Sequence, residues 1–207
     1  MILEKLEVGP LASNCYLVGA EASKIGIIID PGAEANRILK KVDDLGLEVK
    51  LVVLTHGHKD HVGAVKEIKE AIDAEVAIHT DDADSLQMRQ PLIEQLGLSV
   101  QSSPSPDRLL KDGDSLNVDD LHFLVLHTPG HTPGGICLFG GGVVFSGDTL
   151  FNLGIGRTDM PGGSYVQLLN GIHAKLMVLP DSTVVYPGHG PQTTIGNEHQ
   201  TNPYLRQ

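Results

Sequence analysis

Four apolar runs in this chain pass directly into a polar cluster. LVVLT (51–55) leads into HGHKDH (56–61), LVLHT (124–128) into PGHTPG (129–134), VVFSG (143–147) into DT, and TVVY (183–186) into PGHG (187–190). Short runs of Val, Ile and Leu read as buried strands. Loops at strand ends, braced by a rigid sheet, are where reactive side chains are held. A chain organised in this way brings its strand ends together, and His56, His58, Asp60, His61, His131, Asp148 and His189 into one pocket. Buried together without a partner, such groups would be left unsatisfied, so the cluster demands an explanation other than packing.

The rest of the chain alternates. Residues 2–8, 14–19, 24–30, 49–55 and 75–79 read as strands. Residues 34–46 carry helical spacing at Ile38, Leu39, Val42 and Leu45, with Gly46 as a stop. Further helices are expected at 61–72 and 164–179, with helical pieces over 81–97 broken near Pro91 and a short loop at 102–106. The second half is strand-rich: DSLNV, LHFLVLHT, GICLFG, GVVFSG and TVVYPG. The glycines at 140–142 predict a tight hairpin turn, and lack the Lys-Ser/Thr that a phosphate loop needs. The expectation is an α/β chain forming one domain over 1–207.

The ligand types point to metal. His56 and His58 are two apart and share a side of an extended segment. With His131 they form a three-imidazole set that leaves a position open. Asp60, His61 and His189 form a second set, and the two oxygens of Asp148 suit a bridge between two cations ~3.5–4 Å apart. This mixed His/Asp donor set favours zinc, with iron or manganese as alternatives, over calcium or magnesium.

Charge narrows the partners. The formal net charge is −11, which two divalent ions would reduce to about −7. That balance disfavours a phosphate backbone as partner, so a small molecule is expected and nucleic acid is not. No apolar run reaches the ~18 residues of a membrane helix, and MILEKLEVGP does not read as a signal peptide. Cys15 and Cys137 read as small buried hydrophobes, which fits a reducing, cytoplasmic setting. A monomer or homodimer is expected.

The ordered set THGHKDH, GHTPG, SGD and PGHG resembles the metallo-β-lactamase-fold hydrolases. That resemblance implies an αββα sandwich with the metals at one edge between two sheets. GDTLFNLGIGRTDMPGG and VVYPGHGPQTTIGNEHQTNPYL are similar to the short bacterial form of the glyoxalase II branch, whose members hydrolyse hydroxyacyl-glutathione thioesters such as S-lactoylglutathione. The branch implies metal 1 on His56, His58 and His131, metal 2 on Asp60, His61 and His189, and Asp148 between them. Asp60 and Asp148 are then the catalytic carboxylates, Asp60 also orienting the attacking hydroxide. Long members add a C-terminal helical domain that clamps glutathione; this chain stops about 18 residues after His189 and is expected to lack it.

Other residues divide. Arg157 and Asp159 read either as a buried pair bracing a loop or as Arg157 placed behind the metal ligands or near a substrate carboxylate; Tyr165 either lines the pocket or only starts a helix. Lys59 is expected to be solvated, and Thr55, Gly57 and Gly188 to shape loops near the metals. His79, His122, His127, His173 and His199 are expected to be structural or on the surface. The rival readings are a mononuclear iron persulfide dioxygenase using His56, His131 and Asp148, a lactonase or β-lactamase, a nuclease, and a binding module without turnover.

Overall fold

The computed structural model describes residues 1–87 and 103–206. Pro91, most of the segment expected as helical pieces, and residue 102 lie outside these. Among the described residues, two six-stranded sheets form from consecutive parts of the chain. The first sheet holds β1 (Ile2–Val8), β2 (Ser13–Gly19), β3 (Ile25–Ile29), β4 (Glu48–Val53), β5 (Glu75–His79) and β6 (Arg108–Leu110), in sequence order. β1 to β3 pair antiparallel, and β3 to β6 pair parallel, with helices between β3 and β4 and between β4 and β5. The second sheet is ordered β14-β13-β10-β9-β8-β7. Its strands are β7 (Ser115–Val118), β8 (Leu121–His127), β9 (Ile136–Gly140), β10 (Val143–Gly147), β13 (Val184–Pro187) and β14 (Thr193–Thr194). A small hairpin, β11 (Leu150–Phe151) with β12 (Gly154–Ile155), follows β10.

Strand alternation explains the layers. In β2 and β3, Tyr16, Val18, Ile27 and Ile29 face inward, where they meet Leu116, Phe123, Val125, Leu138 and Phe145 of the second sheet. Their neighbours Leu17 and Ile28 face outward onto α1 (Ala35–Asp44) and α3 (Val65–Ala71) through Ile38, Val42, Val65 and Ile68. Cys137, Val144 and Val185 cover the other outer face with Leu168, Ile172 and Ile195 from the helices Tyr165–Gly171 and Ile195–Thr201 and the π-turn Ile172–Leu176 between them. Because both faces of both sheets are covered, the central strands read as continuous apolar runs. The result is the expected αββα sandwich. The Tyr16 and Phe145 rings meet edge-on across the inner layer, with centroids 5.2 Å apart.

Local departures have local causes. The helix expected over 61–72 is two pieces, α2 (Lys59–Val62) and α3. Between them Gly63 passes so near the Pro31–Gly32 turn that a Cβ there would lie 2.3 Å from the Gly32 carbonyl oxygen. At 140–142 the hairpin is as expected: Gly140 pairs with Val143, and Gly141 and Gly142 take φ of 59° and 79°. Two positive φ angles are what a two-residue primed turn requires. The helix over 195–201, capped by the Thr194 hydroxyl, and the short strands β6, β11, β12 and β14 were not expected from the pattern. Cys15 and Cys137 are buried free thiols. No helix among the described residues is long and apolar enough to cross a membrane.

Candidate metal centre

The strand ends converge as the sequence predicts. β4 runs out at Val53, and residues 55–61 turn over the edge of the first sheet into α2. His131 lies in the β8–β9 loop, Asp148 directly after β10, and His189 two residues after β13. The two sheets touch here through an isolated bridge between Ser13 and His189. Asn14 fixes that contact: its backbone N–H donates to the Gly188 carbonyl at 2.7 Å and its side-chain amide to the Pro187 and Gly190 carbonyls at 2.9 Å each.

Ligand atoms of His56, His58 and His131 lie within 4.8 Å of one another, and so do those of Asp60, His61 and His189. Asp148 stands between the two groups. Its Oδ2 is 3.5 Å from His131 Nε2, and its Oδ1 is 3.5 Å from His61 Nε2. His61 Nε2 and His189 Nε2 are 3.2 Å apart, as close as a hydrogen bond, and His131 Nε2 and His58 Nδ1 are 2.9 Å apart.

The outer partners assign the ring nitrogens. His56 Nδ1 meets the Thr55 hydroxyl at 3.1 Å, and that hydroxyl is itself committed as donor to Asp30 Oδ2. His56 Nδ1 therefore carries the proton. His61 Nδ1 points to Asp30 Oδ2 at 3.1 Å, His131 Nδ1 to the Arg157 carbonyl at 2.7 Å, and His189 Nδ1 to the Leu11 carbonyl at 3.1 Å. In all four, Nδ1 points outward to an acceptor and Nε2 faces the cluster, the orientation that metal-binding histidines adopt. His58 differs, turning Nδ1 inward.

The donor set fits cations on direct grounds. Buried side-chain atoms without a hydrogen-bond partner are Asn14 Oδ1, His56 Nε2 and Asp148 Oδ1 among the described residues. The last two belong to the cluster, and a buried lone pair with no donor is costly unless a cation takes it. Electrostatics agree. Burial, then the neighbouring histidine charges, pushes His56 far below its ordinary range, and burial with His131 takes His58 down to about 3. Burial also opposes charge on His61, but Asp148, Asp30 and Asp60 outweigh it and raise that ring to about 10. For Asp60, burial is outweighed by the hydrogen bond from His189 and the charge of His61, leaving its carboxyl well below the carboxylate range. A cation competes with protons for these same lone pairs.

Several expectations change. Lys59 is buried, not solvated. α2 begins at this residue, so the side chain turns inward and Nζ donates to the Leu86 carbonyl at 3.2 Å. Arg157 and Asp159 do pair, at 2.8 and 2.7 Å, but both side chains are exposed, so this is no buried brace. The part of Arg157 that reaches the centre is its carbonyl. Tyr165 is the first residue of its helix and is exposed. Gly188 borders the centre as expected, while Gly57 makes room for Ser85, whose Oγ would lie 1.6 Å from a Cβ there. His127 is half-buried; it stacks on His79 with centroids 3.9 Å apart and donates to the Pro133 carbonyl. Asp30 was missed. It accepts from the Thr55 backbone N–H and hydroxyl as well as from His61, and it too follows an apolar strand directly.

Residues 8–189 match the model of the metallo-beta-lactamase superfamily. The chain belongs to that superfamily. One relative, the hydroxyacylglutathione hydrolase GloC of Haemophilus influenzae, is 39% identical over 209 residues, covering 99% of this chain and 98% of its own. Among solved structures, BLEG-1, a B3 metallo-beta-lactamase, superposes with a TM-score of 0.94 at 35% identity over the full length of both. TTHA1623 in a di-iron-bound form gives 0.89 at 39% identity, covering 98% of this chain and 100% of its own. ETHE1 from Myxococcus xanthus gives 0.82 at 34% identity, covering 98% and 84%.

Proposed function

We propose that this chain is a binuclear metallohydrolase that cleaves hydroxyacyl-glutathione-type thioesters, S-lactoylglutathione being the first substrate to test. The observation that carries the reading is the paired convergence of His56, His58 and His131 and of Asp60, His61 and His189 on either side of Asp148. Likeness to GloC along nearly the whole of both chains supports the thioester. In this reading the first three residues would hold one cation and the second three another, with Asp148 within reach of both sets. Zinc suits the donors, and iron or manganese would be accepted by the same set; the di-iron form of TTHA1623 makes iron a concrete alternative.

Divalent cations bound here supply Lewis acidity, acidifying water and polarising a carbonyl oxygen. The chain does the rest. The Asp60 carboxylate stays ionised, and its Oδ2 is held by the Ser13 hydroxyl at 3.2 Å, so it can accept a hydrogen bond from the attacking water and set its direction. Asp30, Thr55, the Arg157 carbonyl and the Leu11 carbonyl hold four imidazoles in place before substrate arrives. His189 is the open side, with its side chain 29% exposed against 0% for His61. A thiol leaving group of pKa ~8.5 departs as thiolate without a strong acid, consistent with a centre that offers none.

The second reading is a mononuclear iron persulfide dioxygenase on His56, His131 and Asp148, whose atoms also converge. The equally close second triad speaks against it. The test is metal analysis together with S-lactoylglutathione hydrolysis on one preparation. Two metals per chain with rapid cleavage supports the proposal. One iron with no cleavage, but oxygen uptake with glutathione persulfide, replaces it. Two metals with turnover of a β-lactam or lactone and not the thioester keeps the centre and rejects the substrate.

A further inference from the structure

The loops that carry His56, His58 and His131 are tied together by a carboxylate outside the ligand set. Asp82 lies in the 3-10 segment Thr80–Gln87 that follows β5, and it is 3% exposed. Its Oδ2 accepts from the Gly57 backbone N–H at 3.0 Å and from the Thr132 hydroxyl at 2.7 Å; its Oδ1 accepts from the Gly134 N–H at 2.7 Å. Gly57 stands between His56 and His58, and Thr132 follows His131. One side chain therefore joins the loop bearing two imidazoles of the first triad to the loop bearing the third.

The fit on both sides is close. A Cβ on Gly134 would lie 2.5 Å from the Asp82 backbone nitrogen and 2.7 Å from its Cγ, and Gly57 leaves its space to Ser85, whose hydroxyl donates back to the Asp82 carbonyl. Among the described residues, the three groups bonded to the carboxylate are all donors. A carboxylate accepts from each, whereas an amide would turn its NH2 toward a donor. The bonds to Asp82 stop at the first triad. His61 is held by Asp30, Asp60 by Ser13, and His189 by Leu11.

We propose that Asp82 is a positioning residue for the His56–His58–His131 site and not for its neighbour. It sets the spacing of the two loops so that the three imidazoles already converge when a cation arrives. Partners behind metal ligands typically change affinity by about 10–100-fold. Here the change should fall on one of the two sites. This rests on reading the centre as binuclear, and the experiment separates the two claims.

The full chain, wild type and Asp82→Asn, is loaded with Zn2+ and titrated with a chromophoric chelator. Wild type should release two equivalents. In Asp82→Asn, one equivalent should leave at about 10–100-fold lower chelator while the other leaves as in wild type. In a His189→Gln background, which disables the second site, Asp82→Asn must weaken the zinc that remains. In a His58→Gln background it must not. Thr132→Val, which removes one of the three bonds, should move the same equivalent by less, and serves if Asp82→Asn does not fold. Equal weakening of both sites, or no weakening, overturns the proposal, since a merely structural role would not choose between them. A wild-type chain that binds a single zinc overturns the binuclear reading; unweakened binding of that zinc in Asp82→Asn would then overturn the role of Asp82 as well.

Discussion

Replacing Gly188 by alanine should disable the centre while leaving the fold nearly intact. A Cβ at this position would lie 2.2 Å from Asp148 Oδ1, 2.8 Å from His61 Cε1 and 3.1 Å from the Gly147 carbonyl carbon. Ordinary contact begins near 3.4 Å, so something must move by about 1 Å. The backbone at 188 is pinned on both sides: its N–H donates to the Gly147 carbonyl at 2.8 Å and its carbonyl accepts from Asn14 at 2.7 Å. The end of the Asp148 side chain is the part free to turn. Overpacking of this kind costs about 1–3 kcal/mol, and here the lower end is expected. Displacing a catalytic group by about 1 Å costs about 100-fold in rate, or about 2.7 kcal/mol of barrier. Gly188→Ala should therefore lose at least that factor in kcat for S-lactoylglutathione and hold less than two metals, with a melting temperature a few degrees below wild type. Gly190→Ala is the control. Its φ is +74° with nothing within 4 Å of a Cβ, so strain of about 1–2 kcal/mol should lower stability with kcat unchanged. Wild-type kcat and two metals in Gly188→Ala, or an equal loss of kcat in Gly190→Ala, would refute this account of Gly188.

Asp30→Asn should cost about 3 kcal/mol in a urea titration and release metal first from the Asp60–His61–His189 site, because the buried carboxylate loses its fit to three donors. Metal-free stability should peak near neutral pH. His58, at about 3 when folded against 6.5, stays neutral while the unfolded chain takes up a proton, so its contribution is full above about 6.5 and is lost as pH falls toward 3. His61, raised to about 10, contributes fully below 6.5, and that is lost as pH rises through 10. Urea midpoints in chelator from pH 4 to 10 read both arms, and a flat profile would show that neither ring is coupled to folding. Glu198 is fully buried and accepts from the Leu153 N–H, the Thr193 hydroxyl and the amides of Asn197 and Asn202. Glu198→Gln should destabilise by about 1–3 kcal/mol, with hydrogen exchange at Leu153 rising first; protection there equal to wild type would sink the idea that Glu198 anchors the β11–β12 hairpin.

The strands and their polar ends were legible because a covered strand must be apolar and must stop where its side chains turn reactive. The candidate ligands stood out by residue type. What escaped was what residue type does not encode. The Arg157 carbonyl serves His131 while its guanidinium faces solvent, and any residue offers a carbonyl. Asp30 ends an apolar strand as the recognised clusters do, yet a single aspartate before Pro-Gly also reads as an ordinary turn. Asp82 sits among Asp81 and Asp84 with nothing local to distinguish it; only the arrival of Thr132 and Gly134 from a distant loop does so. The inward turn of Lys59 depended on where α2 begins, and helix boundaries are poorly marked in sequence. The two-residue strands β11 and β12 are too short to show a period.

Each sheet is built from its own stretch of chain, with the boundary in the turn between β6 and β7. His56, His58, Asp60 and His61 belong to the first stretch, and His131, Asp148 and His189 to the second. Neither half owns a complete ligand set, and each alone would leave the apolar face of its sheet uncovered. The molecule is thus laid out as a ready-made split reporter. Two fragments divided near Gly113 carry complementary fractions of one candidate centre, and the proposed hydrolysis in a mixture of the two would register their reunion.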